Sequence, residues 1–232
     1  MIDWGWVVDH LDELAGRAVQ HLYLAAIAVV VGFAISFALA VWAARRSAVR
    51  APITAVAGIL YTIPSLALFA ALVPITGLSV LTAEIPLVLY TILILFRNAL
   101  AGFDAVPPDV NEAADGMGYA RGRRLWSVEL PLAIPLIVAG IRLATVSTIG
   151  LVTISGILGD RFGGLGFFIF EGYRRGFPTE IVAGAVPSIV LAIGADLLLV
   201  EAQRRLTPWE AAGREAAGRE AGGTVHPRRD SR

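Results

Sequence analysis

The chain alternates between long runs without charge and short charged stretches. Residues 22–44 are 23 positions with no Asp, Glu or Arg, enough at about 1.5 Å per residue to cross a hydrocarbon layer of roughly 30 Å. They predict a first membrane span, closed by Arg45, Arg46 and Arg50. Residues 51–83 are also uncharged, but Pro74 and Gly77 interrupt them, which places a second span at 53–73. Further spans are predicted at 84–103, 132–156 and 181–200, five in all. Pro64 and Ser65 lie in the middle of the second. Proline there leaves the Leu60 carbonyl without its usual donor, so a kink or a nearby hydroxyl must compensate. Either a tolerated bend or a hinge lining a pathway meets that demand. Residues 156–178 are rich in Gly and Phe, with too many breakers for a crossing helix; they suit a half-buried or re-entrant position on the outer face.

The longest polar insertion between these runs is 109–131, DVNEAADGMGYARGRRLWSVELP. Pro107 and Pro108 stop the preceding helix, and Asp109 stands three residues before Glu112, the spacing of a reciprocal N-terminal cap. Gly116 and Gly118 end the short helix so begun. A basic segment with Arg121, Arg123 and Arg124 around Trp126 follows, then Leu130-Pro131. The pattern predicts two short helices at a membrane surface, presenting a ridge to water. Residues 1–20 form an acidic N-terminal segment with Trp4 and Trp6 suited to a membrane interface, and they lack the basic start of a signal peptide. Residues 205–232 repeat small and charged residues (EAAGREAAGREAGG) that can bury no core, so a frayed or weakly helical tail is expected. The membrane domain is thus 21–204, with its central loop at 104–131.

Composition changes this picture in three ways. With 56% hydrophobic and 16% charged residues the chain is too apolar for an ordinary soluble domain, and zero net charge gives no case for nucleic acid. There is no Cys, and His10, His21 and His226 have no metal-ligand spacing, so no catalytic or metal site is expected. All 19 basic residues are Arg. A GxxxxGK[ST] phosphate loop cannot be written without Lys, so any ATP hydrolysis belongs to another chain.

The arginines also orient the spans. The segments 44–52, 104–131 and 204–232 hold 13 Arg, against 4 in the opposite segments. That bias places the N-terminus outside and the C-terminus inside. Three ionisable residues fall within spans, where charge costs a few kcal/mol unless paired or hydrated. Arg97, Asp196 and Arg142 lie roughly 10, 12 and 16 Å from the inner surface. Asp196 is expected to pair with Arg97 or Arg142; for Arg97, snorkelling to the surface is the other reading.

The central insertion carries a resemblance. Glu112-Ala113-Ala114, then Gly118, then Val128 and Leu130-Pro131 resembles the EAA loop of ABC importer membrane subunits, where it docks into a cleft on the cytoplasmic ATPase. The bare triplets at Glu210 and Glu215 lack the Leu-Pro and the flanking spans. The stretches 61–68 (YTIPSLAL), Leu89-Tyr90, Arg97-Asn98, 139–142 (AGIR) and 163–166 (GGLG) resemble the osmoprotectant branch, which takes up glycine betaine, carnitine, choline or proline. Asp160-Arg161-Phe162 departs from that branch's Gly-Ala-rich run, which leaves the outer gate and the solute open.

The resemblance implies an all-α membrane protein, the type I ABC importer permease core of about five transmembrane helices, in the bacterial inner membrane. It assigns ATPase coupling to Glu112, Ala113, Ala114, Gly118, Arg121, Leu130 and Pro131. Gating or pathway candidates are Pro64, Ser65, Arg97, Arg142 and Asp196. Arg121, Arg123 and Arg124 face either acidic groups on the ATPase rim or anionic lipid headgroups. The chain itself carries no cofactor; ATP and Mg belong to a partner ATPase dimer. The other implied partners are an extracellular solute-binding protein, the lipid bilayer, and a second permease copy or a paralogous permease. A permease for another small solute, such as an amino acid, fits the same pattern. A channel or secondary transporter would more often carry several mid-membrane carboxylates, and Asp196 is thin support.

Overall fold

The computed structural model describes residues 2–209, and every regular element among them is helical. In chain order these are α1 (Trp4–Asp9), α2 (Leu11–Arg45), a 3-10 turn (Ser47–Val49), α3 (Arg50–Thr62), α4 (Ser65–Thr76), α5 (Val80–Asp104) and α6 (Pro108–Gly116). Then come α7 (Arg121–Arg124), a π turn (Leu125–Glu129), α8 (Leu130–Ile154), a 3-10 turn (Ser155–Leu158), α9 (Gly166–Arg175) and α10 (Pro178–Leu206). The part of the polar tail beyond residue 209 lies outside the described residues.

Four helical stretches are long and apolar enough to cross a membrane, and α3 with α4 forms a fifth crossing only as a pair bent by 90°. Span two, expected as one helix with a proline kink, is therefore two helices at a right angle. Ile63 and Pro64 both take extended backbone, with ψ 128° and 125°. The Leu60 carbonyl receives only a long bond from the Ile63 N–H, 3.4 Å, in place of the donor that proline lacks. The other spans extend beyond their uncharged runs. α2 starts at Leu11 because Asp12 and Glu13 occupy its first turn, where the helix dipole favours acids. Charge marks where lipid must end, not where the helix must.

Helices α2, α5 and α8 form the centre, with α3 against α5 and α10 against α8 and α9. Apolar surface gains little by leaving lipid for protein, so close backbone approach carries the packing. Gly32 of α2 lies where a Cβ would fall 1.8 Å from the Thr91 hydroxyl oxygen of α5. One buried cluster, with Ala40, Phe96, Phe103 and Ala133, fills the end nearest the central loop. A second, with Leu24, Phe69, Leu87 and Ile149, fills the opposite end. By the arginine bias the first is the inner end and the second the outer.

The outer segment 156–178 is half-buried, as its breakers suggest, yet it contains a ten-residue helix, α9, held against α10. Phe168 of α9 is buried, and Trp6 meets it edge-on at 6.0 Å. Trp6 also stacks on His10 at 4.1 Å, so it packs into the protein, while Trp4 stays exposed. The Asp3 N–H donates to the Thr179 hydroxyl at 2.9 Å, which ties the chain's start to α10.

Candidate functional site

The central insertion forms an elbow at the inner end. Helix α6 begins at Pro108, two residues earlier than a cap at Asp109 would allow. The expected Asp109–Glu112 reciprocal cap is therefore absent: Pro107 occupies the cap position and no side chain caps the helix. Asp109 instead lies in the first turn, where its charge still complements the helix dipole. The end of α6 is a Schellman turn. The Tyr119 N–H bonds the Ala114 carbonyl at 3.1 Å and the Gly118 N–H bonds that of Asp115 at 2.9 Å, with Gly118 at φ +78°. A side chain at Gly118 would be strained, which gives the glycine six positions after Glu112 a physical reason.

On α6 the two alanines divide. Ala114 is buried against the protein, whereas Glu112, Ala113, Gly116 and Met117 are exposed, Met117 at 68%. The ridge offered to water is one carboxylate, small residues and one thioether side chain. After the turn, α7 was expected as a separate surface helix. It instead continues through the π turn into α8, so Leu130 and Pro131 lie at the first positions of the membrane helix itself. Proline is tolerated there because the π turn before it, in which the Leu130 N–H reaches back to the Leu125 carbonyl, already interrupts the regular i to i−4 ladder.

Four charged side chains lock this elbow to the spans. Arg124 bonds Asp115 of α6 at 2.5 Å and Glu129 of the π turn at 2.8 Å. Arg45, the last residue of α2, reaches the other oxygen of Glu129 at 3.2 Å and the Arg121 carbonyl at 3.3 Å. Glu129 is 6% exposed and sits between the two guanidiniums. Beside it, Arg50 pairs with Asp104 at 2.9 Å and joins α3 to the end of α5. Arg124 is thus occupied within the protein, a correction to its expected contact with an ATPase rim or lipid. Arg123 lies over the Tyr119 ring at 4.6 Å, a cation–π contact. Arg121 is exposed and contributes its carbonyl to the lock.

The remaining sequence candidates lie away from the elbow. Arg142 and Asp196 meet, Nη2 to Oδ1 at 3.0 Å and Nε to Oδ1 at 3.1 Å, with Gln203 3.2 Å from Nη1. This ties α8 to α10. Of the two partners expected for Asp196, the structure selects Arg142; Arg97 is exposed and makes no ion pair among the described residues. Pro64 and Ser65 stand at the 90° break, Pro64 exposed and Ser65 half-buried. Sequence reasoning missed Glu129 as the hub. Its one legible signal was a lone acid beside a Leu-Pro helix start, with three arginines shortly before it.

A bundle of membrane-spanning helices with a charged elbow at one end is the class of protein these features define. The family described as binding-protein-dependent transport system inner membrane component matches residues 32–209, and the chain belongs to it. It is 36% identical over 196 residues to the glycine betaine/carnitine/choline transport system permease protein OpuCB of Bacillus subtilis, covering 84% of this chain and 89% of that one. It is likewise 36% identical over 208 residues to the osmoprotectant import permease protein OsmW of Salmonella typhimurium, covering 88% and 96%. Its fold is similar to that of a chain in the inward-facing methionine ABC transporter MetNI, with TM-score 0.73 at 21% identity over 84% of this chain and 96% of that one. The chain is therefore a permease subunit of an ABC importer, with the type I importer fold.

Proposed function

We propose that this chain, in the bacterial inner membrane, imports a compatible solute such as glycine betaine, carnitine or choline, using ATP hydrolysed on a separate chain. The relatives' solutes and the residue stretches shared with their branch support that solute class. One observation carries the coupling reading: the exposed ridge of α6 is joined by ion pairs, through Arg124 and Glu129, to the ends of both α2 and α8. Force applied at Glu112 and Ala113 is delivered to two spans as a unit. An extracellular binding protein delivers solute, and ATP with Mg draws two ATPase subunits together. Each subunit grips one elbow, from this chain and from a second copy or a sister permease. The elbows move as rigid bodies, and the pore between permeases alternates its access. In this reading Arg142–Asp196 is a tie between spans, and Pro64-Ser65 marks the pathway.

Co-expression with the ATPase tests this reading. Glu112→Arg in a properly inserted chain is expected to abolish co-purification of the ATPase and ATP-dependent choline uptake together. Retention of both would remove the elbow from the mechanism.

A further inference from the structure

The break in span two is polar, exposed and deep. Tyr90, which touches it, lies roughly 15 Å from the outer end of α5 at about 1.5 Å per residue, close to the middle of the membrane. The Tyr90 hydroxyl donates to the Ile63 carbonyl, and its ring meets that of Tyr61 edge-on, centroids 5.7 Å apart at 71°. Tyr90 is buried at 6%, whereas Tyr61 is 43% exposed. At the end of α3, the Thr62 hydroxyl satisfies the Ile59 carbonyl at 2.7 Å. The carbonyls of Tyr61 and Thr62 receive no hydrogen bond among the described residues. Pro64 beside them has no N–H to offer.

Two bare carbonyls facing lipid would cost several kcal/mol each, and broken helices are tolerated at this depth only where they line water or protein. A helix C-terminus carries partial negative charge, and in discontinuous membrane helices such ends meet cations. An aromatic face next to it favours a cation with a greasy surface over a small hydrated one.

We propose that the break between α3 and α4 is a binding site for a quaternary ammonium group on the solute pathway. The Tyr61 ring and the Tyr61 and Thr62 carbonyls contact the cation, and Tyr90 is a positioning residue that fixes the Ile63 carbonyl and the Tyr61 ring. The site deepens the reading of this chain as a compatible-solute permease and rests on it, since that reading supplies the quaternary ammonium class.

The chain has no cysteine, so Thr62→Cys places a single thiol in the full chain, in native membrane vesicles. Its labelling rate is measured with a trimethylammonium and with a sulfonate methanethiosulfonate, each divided by that reagent's rate with free cysteine. The expected result is a preference of about tenfold for the trimethylammonium reagent, with labelling slowed by tetramethylammonium but not by neopentyl alcohol, a neutral molecule with a tert-butyl group of similar bulk. Adding Tyr61→Leu is expected to raise the half-protecting tetramethylammonium concentration about fivefold, and adding Tyr61→Phe to raise it far less. Should Thr62→Cys disturb insertion, Ser65→Cys carries the same measurement. No labelling by either reagent, or equal normalised rates without protection, would overturn the site. ATP-dependent choline and glycine betaine uptake by the assembled wild-type transporter is measured separately. Protection without uptake sinks the transport reading and leaves the site, and uptake without protection does the reverse.

Discussion

The two ends of this permease are held together by different physics. At the inner end, Arg45, Glu129, Arg124 and Asp115 join α2, α6 and α8 through charge. At the outer end, neutral hydrogen bonds and bare backbone contact serve the same purpose. The buried His21 ring bonds the Ile149 carbonyl through Nε2 at 2.8 Å and accepts the Leu165 N–H at Nδ1, 3.3 Å away. Gln20 accepts the Gly164 N–H at 3.1 Å and donates to the Arg161 carbonyl at 2.6 Å. Those partners fix the imidazole as neutral, with its proton on Nε2. An ionic junction changes strength as salt screens it. A backbone contact without a Cβ between the two segments has no such dependence. The contrast makes the inner end a charge-held joint that ionic strength adjusts and the outer end a fixed steric frame.

The outer frame is where a single methyl group should do most damage. A Cβ at Gly166 would stand 2.1 Å from the Thr153 carbonyl oxygen, and one at Gly156 would stand 2.3 Å from the Gly166 backbone. Neither neighbour is a side chain that can turn aside. Gly166→Ala is expected to cost about 3 kcal/mol or more, read as a lowered melting midpoint and a loss of monodisperse protein in mild detergent. Gly150→Ala, with no atom within 4 Å of the added carbon, is expected to leave both unchanged. Equal tolerance of the two would mean that the outer end is not sterically fixed.

At the inner end the comparable test is Glu129→Ala. It leaves Arg45 and Arg124 facing each other without their shared acid, and about 2–3 kcal/mol is expected, since removing one member of a buried pair strands the other charges. The signature that separates the ends is salt. The wild-type midpoint should fall with ionic strength more steeply than that of the Glu129→Ala protein, because the variant has already lost the screened interaction. Parallel salt curves would show that charge is not what holds the elbow.

Much of the architecture was legible because lipid imposes a one-dimensional code. A run such as 22–44 without charge can only cross or be buried, so the spans could be placed from composition. The elbow was legible because Gly118 answers a backbone need, the left-handed residue that ends α6. What the sequence hid depended on contacts across distance. Glu129 reads as an ordinary loop acid until α2 brings Arg45 beside it, 84 positions away. The 90° break at Pro64 was underestimated because proline specifies a missing bond, not an angle. The Asp109–Glu112 cap failed because Pro107-Pro108 starts the helix two residues earlier, and the spacing alone does not fix where a helix begins.

His21 allows a finer cut at the outer clamp. Replacing it with Phe keeps the volume but strands the Leu165 N–H and removes the second donor to the Ile149 carbonyl, for an expected loss of about 1–2 kcal/mol. The measurement is the melting midpoint together with protease nicking at 159–163, which should increase if the GGLG turn is released. An unchanged midpoint and nicking pattern would make the ring a spacer and leave the glycine contacts as the whole of the frame.

The smallest effect on stability is expected where the two kinds of end meet, at Arg142 and Asp196. The pair has charged groups and sits within the spans, but its side chains remain 30% and 37% exposed in the protomer. If that exposed side meets water, such a pair is worth about 1 kcal/mol or less. The coupling energy from a cycle of Arg142→Gln, Asp196→Asn and the double variant should fall in that range. Read as a tie between α8 and α10, the pair predicts that uptake in each single variant stays within about threefold of wild type, in proportion to the small loss of stability. Uptake abolished while the melting midpoint holds would mean that the pair breaks and re-forms during transport. The outer frame would then end above Asp196, and the charge-based, adjustable part of the molecule would extend from the elbow up to that depth.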